Sequence, residues 1–453
     1  MRDRLGHRTV GAVLAAGLVL AGAACTSSGD DASAGGKTRI TVNCEPPKSA
    51  AIDRRSFEED IAIFEKQNPD IDIVAKDAFP CSDPKTFDAK LAGGQMEDVF
   101  YVYFTDVASV IKRKQAADIS KYVDEVAGYG DIQQSVLDIF TDDGKTYGLP
   151  RTNYSMGLIY NRELFTKAGL DPAKPPATWQ EVRAAAKKIA ALGNGTVGYA
   201  DFSASNQGGW HFTAEMYSQG GTVVSEDGKK ATVDTPQGRA VLQTLKDMRW
   251  TDNSMGSKQL LQITDLQQLM GAGKLGMYLA APDNLPEIVK KYQGSYEKLA
   301  IAPMPGGLDP ASRATLLGGD GYMFNRKATP KQIEAGVKWV EFQNLAPGTG
   351  ANNWERAARN KAPVGLPQPN LWTGATADAD NKLKAQYANV PVENYRLFQE
   401  TEVPGKLEPP QAQQIYSVMD GVMSAVLTNR NANIDDLLSD ASAKIDRLLA
   451  NQR

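Results

Sequence analysis

An α/β fold large enough for two lobes is what this sequence predicts, and three observations predict it. A βαβ unit opens the body of the chain, strands and amphipathic helices alternate after it, and 453 residues with 42% hydrophobic content suffice for two separate cores. In the opening unit, residues 40–42 (Ile-Thr-Val) read as one strand and residues 71–74 (Ile-Asp-Ile-Val) as the next. Between them, Phe57, Ile61 and Phe64 fall on one face of a helix over residues 56–66.

The remaining elements follow in order. A third strand over residues 99–102 comes after Gly93-Gly94 and runs into Tyr103-Phe104-Thr105-Asp106. A helix then ends near Lys114, and Ala117-Asp118-Ile119 opens a descending loop. After the turn Asp142-Asp143-Gly144-Lys145, Gly148 and Pro150 punctuate the backbone. Residues 157–160 are a short buried strand with Met156, Leu158 and Tyr160 on one face. Asn161 is placed to cap a helix from Arg162, and Thr178 with Glu181 has capping-box spacing. Residues 179–191 are helical and 197–199 form a strand. Gln207-Gly208-Gly209-Trp210 leads into a helix that stops at Gly220-Gly221. Helices over 242–249 and 260–270 precede a strand at 274–279 and the turn Pro282-Asp283-Asn284. Residues 299–302 lead to Pro303 and Pro305. Thr329, Pro330 and Gln332 open a helix with a capping box and proline in its first turn. Near the end, Ile434, Leu437, Leu438, Ala441, Ile445, Leu448 and Leu449 form one apolar stripe capped by Asn433. No internal repeat is evident.

The first residues are a leader. Arg2, Arg4 and Arg8 precede an apolar stretch over 10–20 and the small residues Ala23-Ala24 before Cys25. This is a secretory signal peptide over residues 1–24, too short for a membrane span of roughly 20 apolar residues. Small residues beside Cys25 resemble a bacterial lipoprotein processing site, although Gly22 stands where Leu is commonest. The mature chain would then begin at Cys25, acylated on its sulfur and anchored stably by several chains. Ordinary cleavage with a free Cys25 is the alternative. Residues 25–37 carry Ser, Gly, Ala and Asp with no large apolar side chain, a flexible tether spanning on the order of 20 Å.

Charge and cysteines set further bounds. Formal charge is −4, and losing Arg2, Asp3, Arg4 and Arg8 takes the mature chain near −6. No basic cluster interrupts this, which argues against a nucleic-acid partner. After Cys25 only Cys44 and Cys81 remain. In an exported protein such a pair invites a disulfide; two buried thiols are the alternative. Both cysteines lie beyond the carboxyl ends of their predicted strands, the edge at which open α/β sheets bind ligands.

Residues 147–182 carry a longer pattern. Pro150, then Gly157, Leu158, Ile159, Tyr160 and Asn161, then Phe165 and Lys167 form an ordered series. It resembles the signature of the extracellular solute-binding proteins of ABC importers, in the sugar-binding, maltose-binding-protein-like group. Arg151 departs, standing where that family usually has an apolar residue. The resemblance implies a two-lobe, periplasmic-binding-protein-like α/β fold with hinge crossovers and a ligand cleft between the lobes. It implies a first crossing at 151–156, a second at 316–324 and a third between Pro363 and Pro369. Lobe 1 would then hold 38–152 plus 322–368, and lobe 2 would hold 153–321 plus 369–453. Gly318, Gly319 and Gly321 suit a hinge through their backbone freedom.

A sugar needs flat aromatic surfaces with carboxylates and amides at their rims. Trp210 follows two glycines where the family has an aromatic contact; filling the core is its alternative role. Thr105 and Asp106 stand at a lobe-1 strand end, with helix capping the alternative for Asp106. Tyr154 lies in the first crossing, as a sugar contact or as hinge packing. Asp283 and Asn284 follow a lobe-2 strand, where many relatives carry Trp at the first position; Pro-Asp-Asn also favours a plain turn. Asp320, with Gly319, offers a carboxylate in the second crossing. Glu45 follows Cys44 at the first strand end. Trp354, beside Asn352 and Asn353, reaches the cleft or packs on the surface.

The expected function is therefore a lipid-anchored, monomeric receptor outside the membrane. It takes up a sugar, does no chemistry on it, needs no cofactor or metal, and delivers it to ABC permease subunits. Two alternatives stand beside it. A secreted glycan hydrolase would need paired carboxylates, and Asp106, Asp283 and Asp320 are available. A ferric-ion binder on a similar fold could use Tyr101, Tyr103 and Tyr154. His211 is the one histidine outside the leader, and no HExxH, GxSxG or phosphate-loop motif occurs.

Overall fold

The computed structural model describes residues 36–77, 81, 86–308 and 310–450. The leader, Cys25 and most of the tether lie outside those residues. Strand β1 (Thr38–Glu45) and strand β2 (Ile71–Asp77) pair in parallel, joined by helix α1 (Ala51–Gln67), as the βαβ reading expects. Helix α1 buries Phe57 and Phe64 against Trp339, edge-on to both rings. Strand β3 (Val99–Tyr103) joins β1 in parallel. Its chain turns at once into helix α2 (Phe104–Lys112), so Thr105 and Asp106 belong to a helix rather than to a strand end.

Two long strands then carry the chain between halves of the molecule. Strand β4 (Gly148–Ser155) starts at Leu149 in the core built around Ile40 and Phe100, and runs on to Met156 in a second core. Next come strand β5 (Gly157–Asn161), strand β6 (Val197–Tyr199), strand β7 (Leu275–Ala280) and strand β8 (Leu299–Pro303). They form a sheet in the order β8-β5-β7-β6, in which only the β6–β7 pair is parallel. Alternation along β5 sends Leu158 and Tyr160 to one core and Ile159 to another on the opposite face. Strand β9 (Thr315–Phe324) returns antiparallel to β4 and joins β3. Strand β10 (Gly405–Leu407) pairs with the start of β9 in parallel. The first sheet thus reads β10-β9-β3-β1-β2, with β4 alongside β9.

Local signals were faithful. Asn161 accepts the Leu164 N–H at 3.0 Å. Thr178 with Glu181, and Thr329 with Gln332, form full capping boxes. The disulfide Cys44–Cys81 is present, with Cα atoms 4.7 Å apart. Cys44 lies inside β1, not beyond it. It occupies a bulge with φ of 72°, where the pairing with β2 slips between Val42 and Glu45. The hinge glycines work differently from expectation. Gly318, Gly319 and Gly321 lie in extended β9, and none has positive φ. Their value is space: a Cβ on Gly318 would sit 2.2 Å from the Tyr154 ring, and one on Gly319 would sit 2.5 Å from Phe104. Leu371, Trp372 and Ala377 pack with the first core. We therefore propose that the third passage falls after the helix Gly374–Tyr387, rather than at 363–369.

Candidate functional site

Strands β4 and β9 floor the cleft between the lobes. Above them lies a cavity of about 630 Å³ whose walls include Arg151, Tyr154, Asp283, Asp320, Trp354 and Gln368. A second cavity of about 410 Å³ shares Arg151, Asn344 and Ala351 with it and runs past Tyr322 to the Cys44–Cys81 bridge. The Cys44–Cys81 bridge lines that second cavity.

Arg151 is the key to the floor. Asp320 pairs with Thr152 and Gly321 pairs with Pro150, so Arg151 is the extra residue of a bulge. The bulge turns its guanidinium onto Asp320, with Nε 2.5 Å from Oδ1 and Nη2 2.7 Å from Oδ2. Burial works against the arginine's charge, but Asp320 outweighs it and holds the group protonated. The same guanidinium lies 5.6 Å from the centre of the Tyr101 ring, which meets Tyr103 edge-on. Asp320 is therefore a strand residue committed to Arg151, not a free carboxylate.

Trp210 belongs to helix α3 (Gln207–Ser218), within its first turn rather than ahead of it. Gly208 and Gly209 do not make a cleft-lining loop. They let α3 approach helix α4 (Ala412–Thr428) closely: a Cβ on Gly209 would sit 2.2 Å from the Tyr416 carbonyl oxygen. The half-buried Trp210 ring packs near Phe202 and His211 at 5.8 and 5.6 Å. Beneath it, fully buried His211 contacts Asp201.

Glu408, one residue past β10, was absent from the sequence reading. Its carboxylate accepts the Tyr416 hydroxyl at 2.9 Å. Burial pushes its carboxyl up; the Tyr416 hydrogen bond opposes this, and the charge of Asp106 adds to it. Burial, then Glu408 and Asp283, push the Tyr154 phenol up as well. Tyr154, Glu408, Asp283 and Asp106 thus share one electrostatic neighbourhood. Asp106 is not a helix cap; it lies in the first turn of α2, with its carboxyl raised by burial and by Asp88. Asp283 is solvent-accessible yet sits between the lobes, and burial raises its carboxyl too.

Other candidates have structural duties. Asn284 is buried; its amide oxygen accepts from Gln267 and Tyr278, and its N–H₂ donates to Ala281 and Asp283. It orients Asp283 and does not face the cleft. Glu45 pairs with Arg54 at 2.7 Å. Exposed Thr105 stands beside Asp106 at the start of α2. Gly319 spaces β9 against Phe104. Trp354 does line the cavity; its indole donates to Asp380 at 2.7 Å and Lys384 covers its ring.

Neither alternative chemistry gains from this arrangement. Asp320 is neutralised by Arg151, which breaks up the carboxylate trio a hydrolase would draw on. Tyr101 and Tyr154 are pushed up by burial and nearby carboxylates, away from the phenolate that binds iron.

The sequence model of bacterial extracellular solute-binding proteins matches residues 48–348, about two thirds of the chain. A Brucella abortus protein named as a binding protein is 28% identical over 296 residues, covering 64% of this chain and 68% of its own. In three dimensions the chain is similar to the sugar-binding protein MalE from Xanthomonas citri, with TM-score 0.72, 16% identity and 92% and 98% of the two chains covered. It is also similar to UgpB from Mycobacterium tuberculosis in complex with glycerophosphocholine, with TM-score 0.70, 17% identity and 92% and 100% covered. At these identities the structural likeness speaks for the fold.

Proposed function

This chain belongs to the bacterial extracellular solute-binding protein family, and from that premise we propose that it captures an oligosaccharide outside the membrane and hands it to an ABC permease. The family is one of binding proteins, not enzymes, and acts outside the cytoplasm. The observation that carries the sugar reading is the cavity of about 630 Å³ whose walls set Tyr154 and Trp354 among Asp283, Asn153 and Gln368. Aromatic faces cover the apolar side of a pyranose while carboxylates accept its hydroxyls. MalE of X. citri is named as sugar-binding and UgpB of M. tuberculosis holds glycerophosphocholine. The two adjoining cavities, about 630 and 410 Å³, favour more than one sugar ring.

Closure of the lobes about β4 and β9 would enclose the solute and bring both outer faces to the permease. We place the acyl anchor on Cys25, with residues 25–37 as the tether of a monomer. Calorimetry of the mature chain against mono-, di- and trisaccharides and glycerophosphocholine tests the ligand. Saturable binding of a di- or trisaccharide supports the proposal; binding of glycerophosphocholine alone overturns it. Membrane fractionation of Cys25→Ser tests the anchor, which predicts release into the soluble fraction.

A further inference from the structure

We propose that Arg151, anchored by Asp320, is the specificity-determining residue of the cleft: a fixed, charge-cancelled fork of N–H donors that takes the oxygens of a neutral, hydroxyl-rich solute and gives an anion no net attraction. This rests on the sugar-capture reading for its purpose, but the anchored fork itself does not.

Arg151 lines both cavities of the cleft, the one of about 630 Å³ and the one of about 410 Å³, so it stands where they meet. The bulge in β4 puts it there, because its neighbours Pro150 and Thr152 are the residues that pair with β9. A guanidinium presents its N–H donors in a rigid planar fork. The Nε–H and one N–H of Nη2 go to Asp320, at 2.5 and 2.7 Å. Among the described residues, Nη1 and the second N–H of Nη2 have no acceptor. The side chain keeps 37% exposure, so these donors are open to a solute. Two bonds to one carboxylate fix the plane of the fork, and the Tyr101 ring lies 5.6 Å from it. Its donors are therefore oriented before a ligand arrives.

The charges around the fork decide what it takes. Asp320 cancels the charge of Arg151 but not its free N–H groups. The other cations on the two walls are opposed as well. Arg356 Nη2 meets Asp60 Oδ2 at 2.8 Å, and Lys384 pairs with Asp380 at 2.7 Å. Lys290 shares its wall with Asp283. A phosphate or carboxylate entering here would shed tightly held water and meet no unopposed cation in return. A hydroxyl or ring oxygen sheds less and meets a donor stronger than a neutral one. Asn153 and Gln368 on the same wall supply acceptors for the hydroxyl protons.

The anchored fork is tested on the empty full mature chain. The Arg151 Nε–H resonance, assigned by its loss in Arg151→Met, should exchange slowly with water, and about tenfold faster in Asp320→Asn. Equal exchange in the two proteins overturns the fork whether or not a sugar binds. The selection is tested by calorimetry with maltose, trehalose, cellobiose and maltotriose, each beside its counterpart oxidised to a carboxylate at C6. A neutral sugar should bind, about tenfold or more tighter than its carboxylate counterpart, and should shift the Arg151 resonance of the unaltered protein. Arg151→Met should weaken that sugar about tenfold or more. Asp320→Asn should narrow the preference for the neutral member about fivefold, because it uncovers a positive charge. An unshifted resonance at saturation, unchanged affinity in Arg151→Met or an unchanged preference in Asp320→Asn overturns the selection and leaves sugar capture standing. Binding of no member by any of the proteins overturns the sugar reading and the selection together.

Discussion

Arg151 and Asp320 close a bidentate ion pair across the bulge between the two strands that carry the chain from lobe to lobe. The arginine is the one residue that breaks the family pattern around Pro150. The structure shows why a charge is tolerated there: its partner comes from the opposite strand, and the Tyr101 ring takes its open face.

Removing both partners should cost less than the two single losses added together. Asp320→Ala strands the arginine, whose side chain keeps 37% exposure, so water offsets part of the loss. We expect about 1–3 kcal/mol from urea unfolding. Arg151→Met combined with Asp320→Leu should lose less than the sum of the single changes. Strictly additive losses would show that the pair is not coupled.

Much of this fold was legible because its signals are local. Capping boxes at Thr178 and Thr329 and the stripe ending at Leu449 depend on residues three or four apart. The site was less legible because its partners are distant. Nothing near Glu45 or Asp320 announces Arg54 or Arg151 as the group that occupies it. Glu408 was invisible for the same reason: its place depends on strand pairing with residues about ninety positions earlier. The glycines before Trp210 look like a loop in sequence and are a helix contact in space.

Trp210→Ala should weaken saccharide binding about tenfold or more, since it removes both stacking area and the aromatic face. Trp210→Phe should recover part of the loss. Titration by calorimetry reads both, and unchanged affinity in Trp210→Ala would take the residue out of the site.

The cleft carboxylates should make the empty protein more stable as pH falls from neutral. Asp106, Asp283 and Glu408 all have carboxyls raised by burial. The folded state therefore binds protons more tightly than the unfolded chain. Stability from these groups rises as pH drops through their folded values, and is lost as pH rises through them. Asp283→Asn should accordingly raise the melting temperature at pH 7 and flatten its dependence on pH. A lower melting temperature at pH 7 would contradict this.

Reduction of the Cys44–Cys81 bridge should destabilise lobe 1. The bridge closes a loop of 37 residues, for which the chain-entropy relation gives roughly 3–4 kcal/mol. Unfolding of the Cys44→Ser, Cys81→Ser double variant measures it. The loss should be largest for probes near Trp339, which packs on α1 between the two cysteines in sequence.

Small-angle X-ray scattering of the mature chain, empty and saturated with the saccharide that binds it, tests solute capture by lobe closure most directly. A smaller radius of gyration on saturation, absent in Trp210→Ala at the same sugar concentration, is the expected result. An identical scattering curve with the sugar demonstrably bound would contradict it.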